Sequence, residues 1–245
     1  MNILITNDDG WGAPGIMALV EAMKPIGKVY VLAPDSARSG FSNAVTATTH
    51  VTLRRVEQAD KSIEVYGTSG TPSDCVKLAI NVLFRGDEKA IDLLVSGVNH
   101  GSNAAINSIY SGTIGACLVA AEHRIPAIGF SIYDNSHEAD LQYFRPYLGQ
   151  LTRHLLDEGI RPGICYNINA PTGQIKGIRW TRQCKSHWEK EMKETLLENG
   201  ERGYLLSGYM VNDEPEATDT DEWALSHGYI SIQPCSPDMT YYAAL

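Results

Sequence analysis

The sequence predicts an α/β protein with a Rossmann-like, mostly parallel sheet, helices on both faces of the sheet, and C-terminal β-hairpin or arm extensions. Two observations support this fold class. In the first two thirds of the 245 residues, short β-rich runs alternate with stretches whose apolar residues recur at helical spacing, a pattern typical of parallel sheets. The β-rich runs are also continuously apolar, as strands buried on both faces are.

The elements of this core follow one another in order. Residues 3–6 form an apolar run that predicts a strand, and apolar residues at helical spacing in 15–24 predict a helix. Pro72 suits the first turn of a second helix, which we expect to continue to residue 84. Further strands are predicted at residues 29–32, 51–56, 63–66, 91–95, 126–131 and 166–168, and further helices at residues 113–124 and 141–156.

The last third of the chain has a different character. Residues 186–202 are rich in charged and polar side chains, residues 213–221 are acidic, and a late strand is predicted at residues 229–232. We therefore expect a Rossmann-like core over residues 1–175. Residues 176–245 are interpreted as arms and a late strand of the same domain.

Composition narrows the range of partners. Apolar residues make up 43% and charged residues 20% of the chain, and the net charge is −9. An acidic surface argues against a nucleic-acid duplex or an anionic membrane as a partner. It does not exclude a small phosphate substrate, because a bound cation reverses the local field. Five scattered cysteines without a CxxC pair, and a start unlike a signal peptide, predict a cytoplasmic protein.

Polar side chains follow three of the predicted strands. Asp8 and Asp9 come after the first strand, Ser39 after the second, and Asn99 after the strand at 91–95. Ligands of open α/β sheets bind beyond the carboxyl ends of the strands, so these loops are expected along one edge. A divalent cation would relieve the repulsion between the two aspartates, and oxygen ligands suit Mg²⁺ or Mn²⁺. The alternative is that the aspartates cap the next helix and that the other two residues only shape loops.

A candidate anion site lies at residues 110–115, directly before a predicted helix. Backbone N–H groups at a helix N-terminus, together with the hydroxyls of Ser111 and Thr113, are suited to binding phosphate. An ordinary N-cap explains the same residues. Residues 70–74 have the same form and the same alternative explanation.

Residues 10–15 match the GxGxxG dinucleotide motif, and Asp35 lies 20 residues after its last glycine. Two features count against this interpretation. Asp8 and Asp9 stand where the pyrophosphate would lie, and Pro14 lacks the N–H that such a turn would donate.

Taken together, these motifs resemble the SurE survival-protein family. The matching segments occur in the family's order at residues 3–10, 33–40, 70–76, 96–103, 110–113, 167–171, 220–221 and 228–232. The resemblance implies a metal-dependent phosphomonoesterase, a 5′-nucleotidase that hydrolyses nucleoside 5′-monophosphates, and also 3′-monophosphates, to nucleoside and phosphate by metal-activated water. One divalent ion, Mg²⁺ or Mn²⁺, would be held by Asp8, Asp9, Ser39 and Asn99.

The resemblance also implies roles for other residues. We expect Asp8 and Asp9 to be catalytic, with Asp9 accepting the proton of the attacking water, and His100 to line the pocket. The C-terminal arms would join subunits into a homodimer or homotetramer. The residues expected to contact substrate are Asn103, Ser111, Gly112 and Thr113. Three positions depart from the family pattern: Ala105 replaces a glycine, and Val119 and Ala120 replace a Glu-Gly pair.

Three rival functions remain open from the sequence. The first is a nicotinamide-binding oxidoreductase. The second is a phosphatase with Asp8 as a covalent nucleophile, although such enzymes usually space their two aspartates by one residue. The third is a metal-dependent nucleotide sensor with a catalytically inert site.

Overall fold

The computed structural model describes residues 1–133 and 141–242. The strands are β1 (Asn2–Thr6), β2 (Lys28–Pro34), β3 (Leu53–Val56), β4 (Ile63–Thr68), β5 (Leu93–His100), β6 (Ala127–Ile132), β7 (Cys165–Ala170), β8 (Gly177–Trp180), β9 (Ser186–Glu189), β10 (Met192–Leu196), β11 (Arg202–Leu206), β12 (Tyr209–Asn212) and β13 (Tyr229–Cys235). The α-helices are α1 (Pro14–Met23), α2 (Pro72–Leu78), α3 (Gly112–Glu122), α4 (Arg145–Glu158) and α5 (Asp221–Ser226).

Nine strands form the central sheet in the order β3-β4-β2-β1-β5-β6-β7-β13-β8. The six strands from β4 to β7 are mutually parallel. At the two ends of the sheet, β3 pairs antiparallel with β4 and β13 pairs antiparallel with β7. Helices α1 and α4 share one apolar cluster with the sheet, whereas α2 and α3 share a second cluster. The predicted Rossmann-like class, with helices on both faces, is confirmed.

Strand β5 is longer than predicted. It covers Leu93–His100, so residues 96–100 are strand rather than loop. Pairing with β6 continues to His100 across an irregularity between Gly97 and Asn99. This extension depends on a neighbouring strand, and local apolar spacing carries no information about it. As a consequence, Asn99 projects from a strand end.

Several helices also differ from prediction at their ends. The helix expected at residues 72–84 is α-helical only to Leu78 and continues as a π-helical turn over Ala79–Leu83. A short 3₁₀ turn over Leu141–Tyr143 precedes α4, where one helix was expected. Helix α5 was not predicted, because six residues at the end of an acidic run give too little periodicity to detect.

Helix α1 packs very closely on β5. A Cβ added at Gly15 would lie 2.1 Å from the carbonyl oxygen of Val98, so only glycine fits there. The two departures in α3 are accommodated by burial, since Val119 is 6% and Ala120 0% exposed within the second apolar cluster. Apolar residues are therefore well suited to both positions.

Residues after 175 contribute to the sheet as well as to an extension. Strands β8 and β13 join the central sheet. Residues 186–212 form a long hairpin, here called the arm, in which β9 pairs with β12 and β10 with β11. Within the described part of the chain, no helix combines the length and apolarity needed to cross a bilayer. Large exposed apolar side chains of the arm are Met192, Leu196, Leu197, Tyr204, Leu205, Leu206 and Tyr209.

Candidate active site

A cavity of about 500 Å³ opens at the carboxyl edge of the parallel strands. Its wall on the sheet side comes from the ends of β1 and β5 and from the loop after β2. Its opposite wall comes from the arm and from a 3₁₀ segment, Ala105–Tyr110. The lining residues are Asp8, Ser39, Gly40, Asn99, His100, Asn103, Asn107, Tyr110, Ser111, Trp188, Glu191, Leu206, Ser207 and Gly208.

Asp8 is fixed at the base of this cavity by the turn that follows β1. The buried amide of Asn7 accepts a hydrogen bond from the N–H of Gly10 and donates one to the Gly10 carbonyl. Asp8 itself is only 4% exposed. The Thr113 hydroxyl donates to Asp8 Oδ1 at 2.6 Å. The carboxylate is therefore held from the sheet and from α3 together.

The Asp8 carboxylate lies in an unfavourable environment for a negative charge. Burial, with a smaller contribution from neighbouring Asp9, raises the pKa of Asp8 to about 6, against the lowering effect of the Thr113 hydrogen bond. A nearby cation favours the ionised form of a carboxyl group. Burial is the main cause of the raised pKa, and a cation beside Asp8 would offset it.

Two further residues with oxygen atoms that could bind a cation, Ser39 and Asn99, line the same cavity. The N–H of Arg38 donates to the Asp8 carbonyl at 2.6 Å, which ties the loop carrying Ser39 to the strand edge. The Asn99 amide nitrogen donates to the Gly101 carbonyl at 2.8 Å, leaving the amide oxygen as the atom suited to a cation. Asp8, Ser39 and Asn99 thus line one cavity, as predicted.

The fourth predicted ligand, Asp9, is half-buried beside Asp8 and, among the described residues, is not one that lines the cavity. The described residues also contain no group of three His, Cys, Asp or Glu side chains that would hold a metal. A cation here would depend on hydroxyl and amide oxygens in addition to carboxylates. Such a hard, all-oxygen donor set fits Mg²⁺ or Mn²⁺.

Helix α3 begins directly against Asp8. A Cβ added at Gly112 would lie 3.0 Å from the Asp8 Cβ, so glycine permits this approach. Ser111 caps the helix by accepting the Ile114 N–H and also lines the cavity. Thr113 is fully buried, and its hydroxyl contacts Asp8 rather than the open cavity. The first turn of α3 therefore offers a dipole suited to an anion beside the candidate cation site.

Asn103 belongs to a buried amide network behind the cavity. Its N–H donates to Asn169 Oδ1 and its amide nitrogen to Ser131 Oγ, both at 2.8 Å. Asn167 donates to the Asn103 carbonyl and to Gln233. Although Asn103 lines the cavity, its amide nitrogen is thus directed into the protein. The network connects the end of β5 with β6, β7 and β13.

Several lining residues were not anticipated. Asn107, Trp188, Glu191 and residues 206–208 all contribute to the cavity, four of these positions lying beyond residue 190. Trp188 is partly buried, and its indole N–H donates to Asn107 Oδ1 at 3.0 Å. The sequence feature that could have indicated Trp188 is the presence of a tryptophan in an otherwise charged and polar segment.

The dinucleotide interpretation is not supported by this geometry. The N–H groups of Gly10, Trp11 and Ala13 donate to protein acceptors, and Pro14 has none to offer. Asp35, the expected ribose ligand, accepts a hydrogen bond from Arg54 Nη2 at 2.7 Å. Three N–H groups of the turn are thus already used within the protein, which leaves fewer donors for a pyrophosphate.

The second candidate anion site, at residues 70–74, is occupied by its own side chains. Thr71 and Asp74 form a reciprocal capping box at the start of α2. Thr46 donates to Asp74 through both its N–H and its hydroxyl. A carboxylate already fills the place that an anion would take, so residues 70–74 act as a structural cap.

Fold and site together define a Rossmann-like α/β protein with an oxygen-lined cavity at the carboxyl edge of its sheet and a helix N-terminus beside it. The family model described as Survival protein SurE matches residues 3–190, and the chain belongs to the SurE family.

Similar proteins extend this match over the whole length. A protein of Flavobacterium psychrophilum named 5′-nucleotidase SurE is 43% identical over 99% of this chain and 94% of its own length. One of the same name from Christiangramia forsetii is 44% identical, covering 97% of this chain and 92% of its own. The crystal structure of the SurE protein from Aquifex aeolicus superposes with a TM-score of 0.83 at 31% identity, over 100% of this chain and 97% of that one.

Proposed function

We propose that this chain is a metal-dependent phosphomonoesterase that hydrolyses nucleoside 5′-monophosphates, and also 3′-monophosphates, to nucleoside and phosphate. The observation that carries the proposal is the position of Asp8. This buried carboxylate lies against the first turn of α3 and shares a cavity with Ser39 and Asn99. The relatives named 5′-nucleotidase SurE support the same reaction class.

Phosphate binding is assigned to the start of α3. Backbone N–H groups of a helix N-terminus point at an anion, and the dipole of the helix favours its negative charge. Ser111 lies at this point and lines the cavity. Gly112 allows the helix end to reach Asp8, so a phosphate held there would also approach the carboxylate.

Asp8, Asp9, Ser39 and Asn99 are proposed to hold one Mg²⁺ or Mn²⁺ ion. When bound, such an ion neutralises charge on the phosphoryl oxygens and lowers the pKa of a coordinated water. Asp9, half-buried next to Asp8, is proposed to accept the proton of the attacking water. His100 lines the same cavity. Phosphoryl transfer depends mainly on positioning and charge stabilisation, which this set of residues supplies.

The rival functions require different properties of the site. As a covalent nucleophile it would need an accessible oxygen, yet Asp8 is 4% exposed and Oδ1 already accepts the Thr113 hydroxyl. An inert nucleotide sensor would keep the cavity but release no phosphate. The names of the relatives favour turnover over sensing.

The arm is proposed to join subunits into a homodimer or homotetramer in the cytoplasm. Four of its apolar side chains are between 59% and 77% exposed: Leu196, Tyr204, Leu205 and Leu206. Apolar side chains grouped on one extension commonly mark a protein interface. Five free cysteines in the described residues fit a reducing compartment.

The test is phosphate release from 5′- and 3′-AMP, GMP, CMP and UMP, with Mg²⁺, with Mn²⁺ and with EDTA. We expect release that requires a divalent ion and stops with chelator. The control variant Asp35→Asn alters a carboxylate on the neighbouring loop, whose partner is Arg54, and should retain activity. Release that persists in EDTA, or binding of nucleotides with no release under any condition, would overturn the proposal.

A further inference from the structure

The wall of the cavity opposite Asp8 carries an aromatic ring in a fixed position. Resting on the proposed function, we propose that Trp188 is the surface on which the nucleobase of the substrate stacks. The base would then be recognised by its flat face rather than by its hydrogen-bonding edge. This makes Trp188 a determinant of specificity for nucleotides over other phosphomonoesters.

Trp188 is held from its backbone and from its ring. Its backbone lies in β9, opposite Met210 of β12. Its indole N–H donates to Asn107 Oδ1 at 3.0 Å. Asn107 itself lies in the 3₁₀ segment, which is tied to the arm by a hydrogen bond from the Ile106 N–H to Ser186 Oγ. The polar edge of the indole is therefore occupied, and what remains for a ligand is the ring face.

The cavity has the same distribution of polarity as a nucleoside monophosphate. The sheet side offers Asp8, Ser39 and Asn99, which suit a cation and its phosphate. The arm side carries Trp188 and Leu206 beside the polar Glu191 and Ser207, with Tyr110 from the 3₁₀ segment. A volume of about 500 Å³ lies within the range of small-molecule sites. A phosphate placed at α3 thus leaves the nucleoside directed toward Trp188.

Two of the amide atoms near the ring are already used within the protein. The Asn103 amide nitrogen donates to Ser131, and Asn107 Oδ1 accepts the indole N–H. Stacking is tolerant of base identity because every base has a π-face. We therefore expect all four common bases to be accepted, with purines preferred over pyrimidines because their rings are larger.

The kinetic test compares a nucleotide with a phosphomonoester that lacks a base. Alanine substitution of a stacking residue commonly weakens binding of one base about 5- to 100-fold. Trp188→Ala should raise the KM for 5′-AMP by about that factor, with little change in kcat. The KM for ribose 5-phosphate should stay as in the wild type. Trp188→Phe, which keeps a stacking ring, should resemble the wild type on both substrates.

Trp180→Ala is the matched control, since Trp180 is 51% exposed on β8 and contacts Tyr166 rather than the cavity. It should leave both KM values unchanged. An unchanged KM for 5′-AMP in Trp188→Ala would overturn the proposal. An equal rise for 5′-AMP and ribose 5-phosphate would overturn it too, because that result indicates a collapsed arm wall.

A binding measurement separates this proposal from the proposed function. Adenosine, which has no phosphate, should quench tryptophan fluorescence of the wild type and much less that of Trp188→Phe. Quenching that depends on Trp188, without phosphate release from 5′-AMP, would uphold stacking and reject hydrolysis. Release from 5′-AMP that is indifferent to Trp188, with no quenching by adenosine, would uphold hydrolysis and reject stacking.

Discussion

The two walls of the cavity are built in different ways. At the sheet edge, buried Asp8 and Thr113 are joined by a hydrogen bond across 105 positions of the chain, and buried Asn7 closes the turn after β1. The arm pairs mostly with itself and exposes much of its surface. Precise catalytic geometry requires rigid elements with locked side chains, whereas a surface that stacks a base tolerates more freedom. We therefore expect the chemistry at the sheet edge and substrate selection at the arm.

One residue ties together the two parts of the arm-side wall, the 3₁₀ segment and the arm. Asp221, fully buried at the start of α5, accepts the Ala105 N–H through Oδ2 and the Cys184 N–H through Oδ1. Ala105 begins the 3₁₀ segment, and Cys184 lies two residues before the arm. Burial raises the pKa of this carboxyl, while the N–H groups that it accepts act in the opposite direction. The position of the arm over the cavity therefore depends on Asp221.

The largest expected effect comes from breaking the sheet edge. Asp8→Asn removes one of two adjacent negative charges, and we expect phosphate release to fall about 100- to 1000-fold. Metal affinity should fall as well, so Mn²⁺ should no longer raise the melting temperature as it does in the wild type. Phosphate release assays and thermal melts with and without Mn²⁺ measure both effects.

Without metal, the same variant should be more stable than the wild type at pH 7. The folded-state pKa of Asp8 is raised from 3.8 to about 6, so the ionised carboxyl opposes folding above that pH. The free energy of unfolding of the metal-free wild type should therefore fall as pH rises from about 4 to 6, by at most about 3 kcal/mol. Asp8→Asn should flatten that dependence. A variant that keeps both its Mn²⁺ response and its activity would contradict this assignment.

The next effect concerns the link between the 3₁₀ segment and the arm. Asp221→Asn replaces a carboxylate oxygen with an N–H₂ group that faces backbone donors, leaving a buried N–H unsatisfied. We expect a loss of about 1–3 kcal/mol in the free energy of unfolding and a rise in KM larger than the change in kcat. Denaturant unfolding and steady-state kinetics check the two parts.

Asp219→Asn is the matched control for that variant. Asp219 is an exposed partner of Arg182 near the same helix, and exposed ion pairs contribute about 0–1 kcal/mol. If both variants lost the same stability, Asp221 would have no special role in joining the 3₁₀ segment to the arm.

A smaller effect is expected on the arm alone. Leu205→Lys adds a charge to a side chain that is 59% exposed and does not line the cavity. The mass measured by light scattering should fall from an oligomer toward the monomer, with the fold intact by circular dichroism. An unchanged mass would remove Leu205 from the proposed subunit contact.

The sheet edge was predictable from sequence because its residues follow strands. Asp8 and Ser39 follow two strands and Asn99 lies at the end of a third, the carboxyl ends of these strands meet in a parallel sheet, and the three residues line one cavity. The length of β5 was not predictable, since pairing with β6 past Gly97 depends on a neighbouring strand.

The arm wall was predictable only in part. Charge and polarity indicated an extension after residue 175, but Trp188 reaches the cavity through the contacts of the arm with the 3₁₀ segment. Those contacts join residues about 80 positions apart, and periodicity within a segment cannot report them. Helix α5, which supplies Asp221, was too short to be detected.

The smallest expected effect tests the start of the 3₁₀ segment. Ala105, which stands where the family usually has glycine, has a φ of 51°, a left-handed conformation that costs a residue with a Cβ roughly 1–2 kcal/mol. Ala105→Gly removes that cost. It also increases the conformational entropy of the unfolded chain, which lowers the free energy of unfolding by about 0.4–1 kcal/mol. We expect a net gain of about 0.5 kcal/mol, seen as a rise in Tm of about 1–2 °C. KM should not change, because the N–H donated to Asp221 is retained. A lower Tm would show that contacts of the Ala105 methyl group stabilise the fold by more than the backbone strain costs.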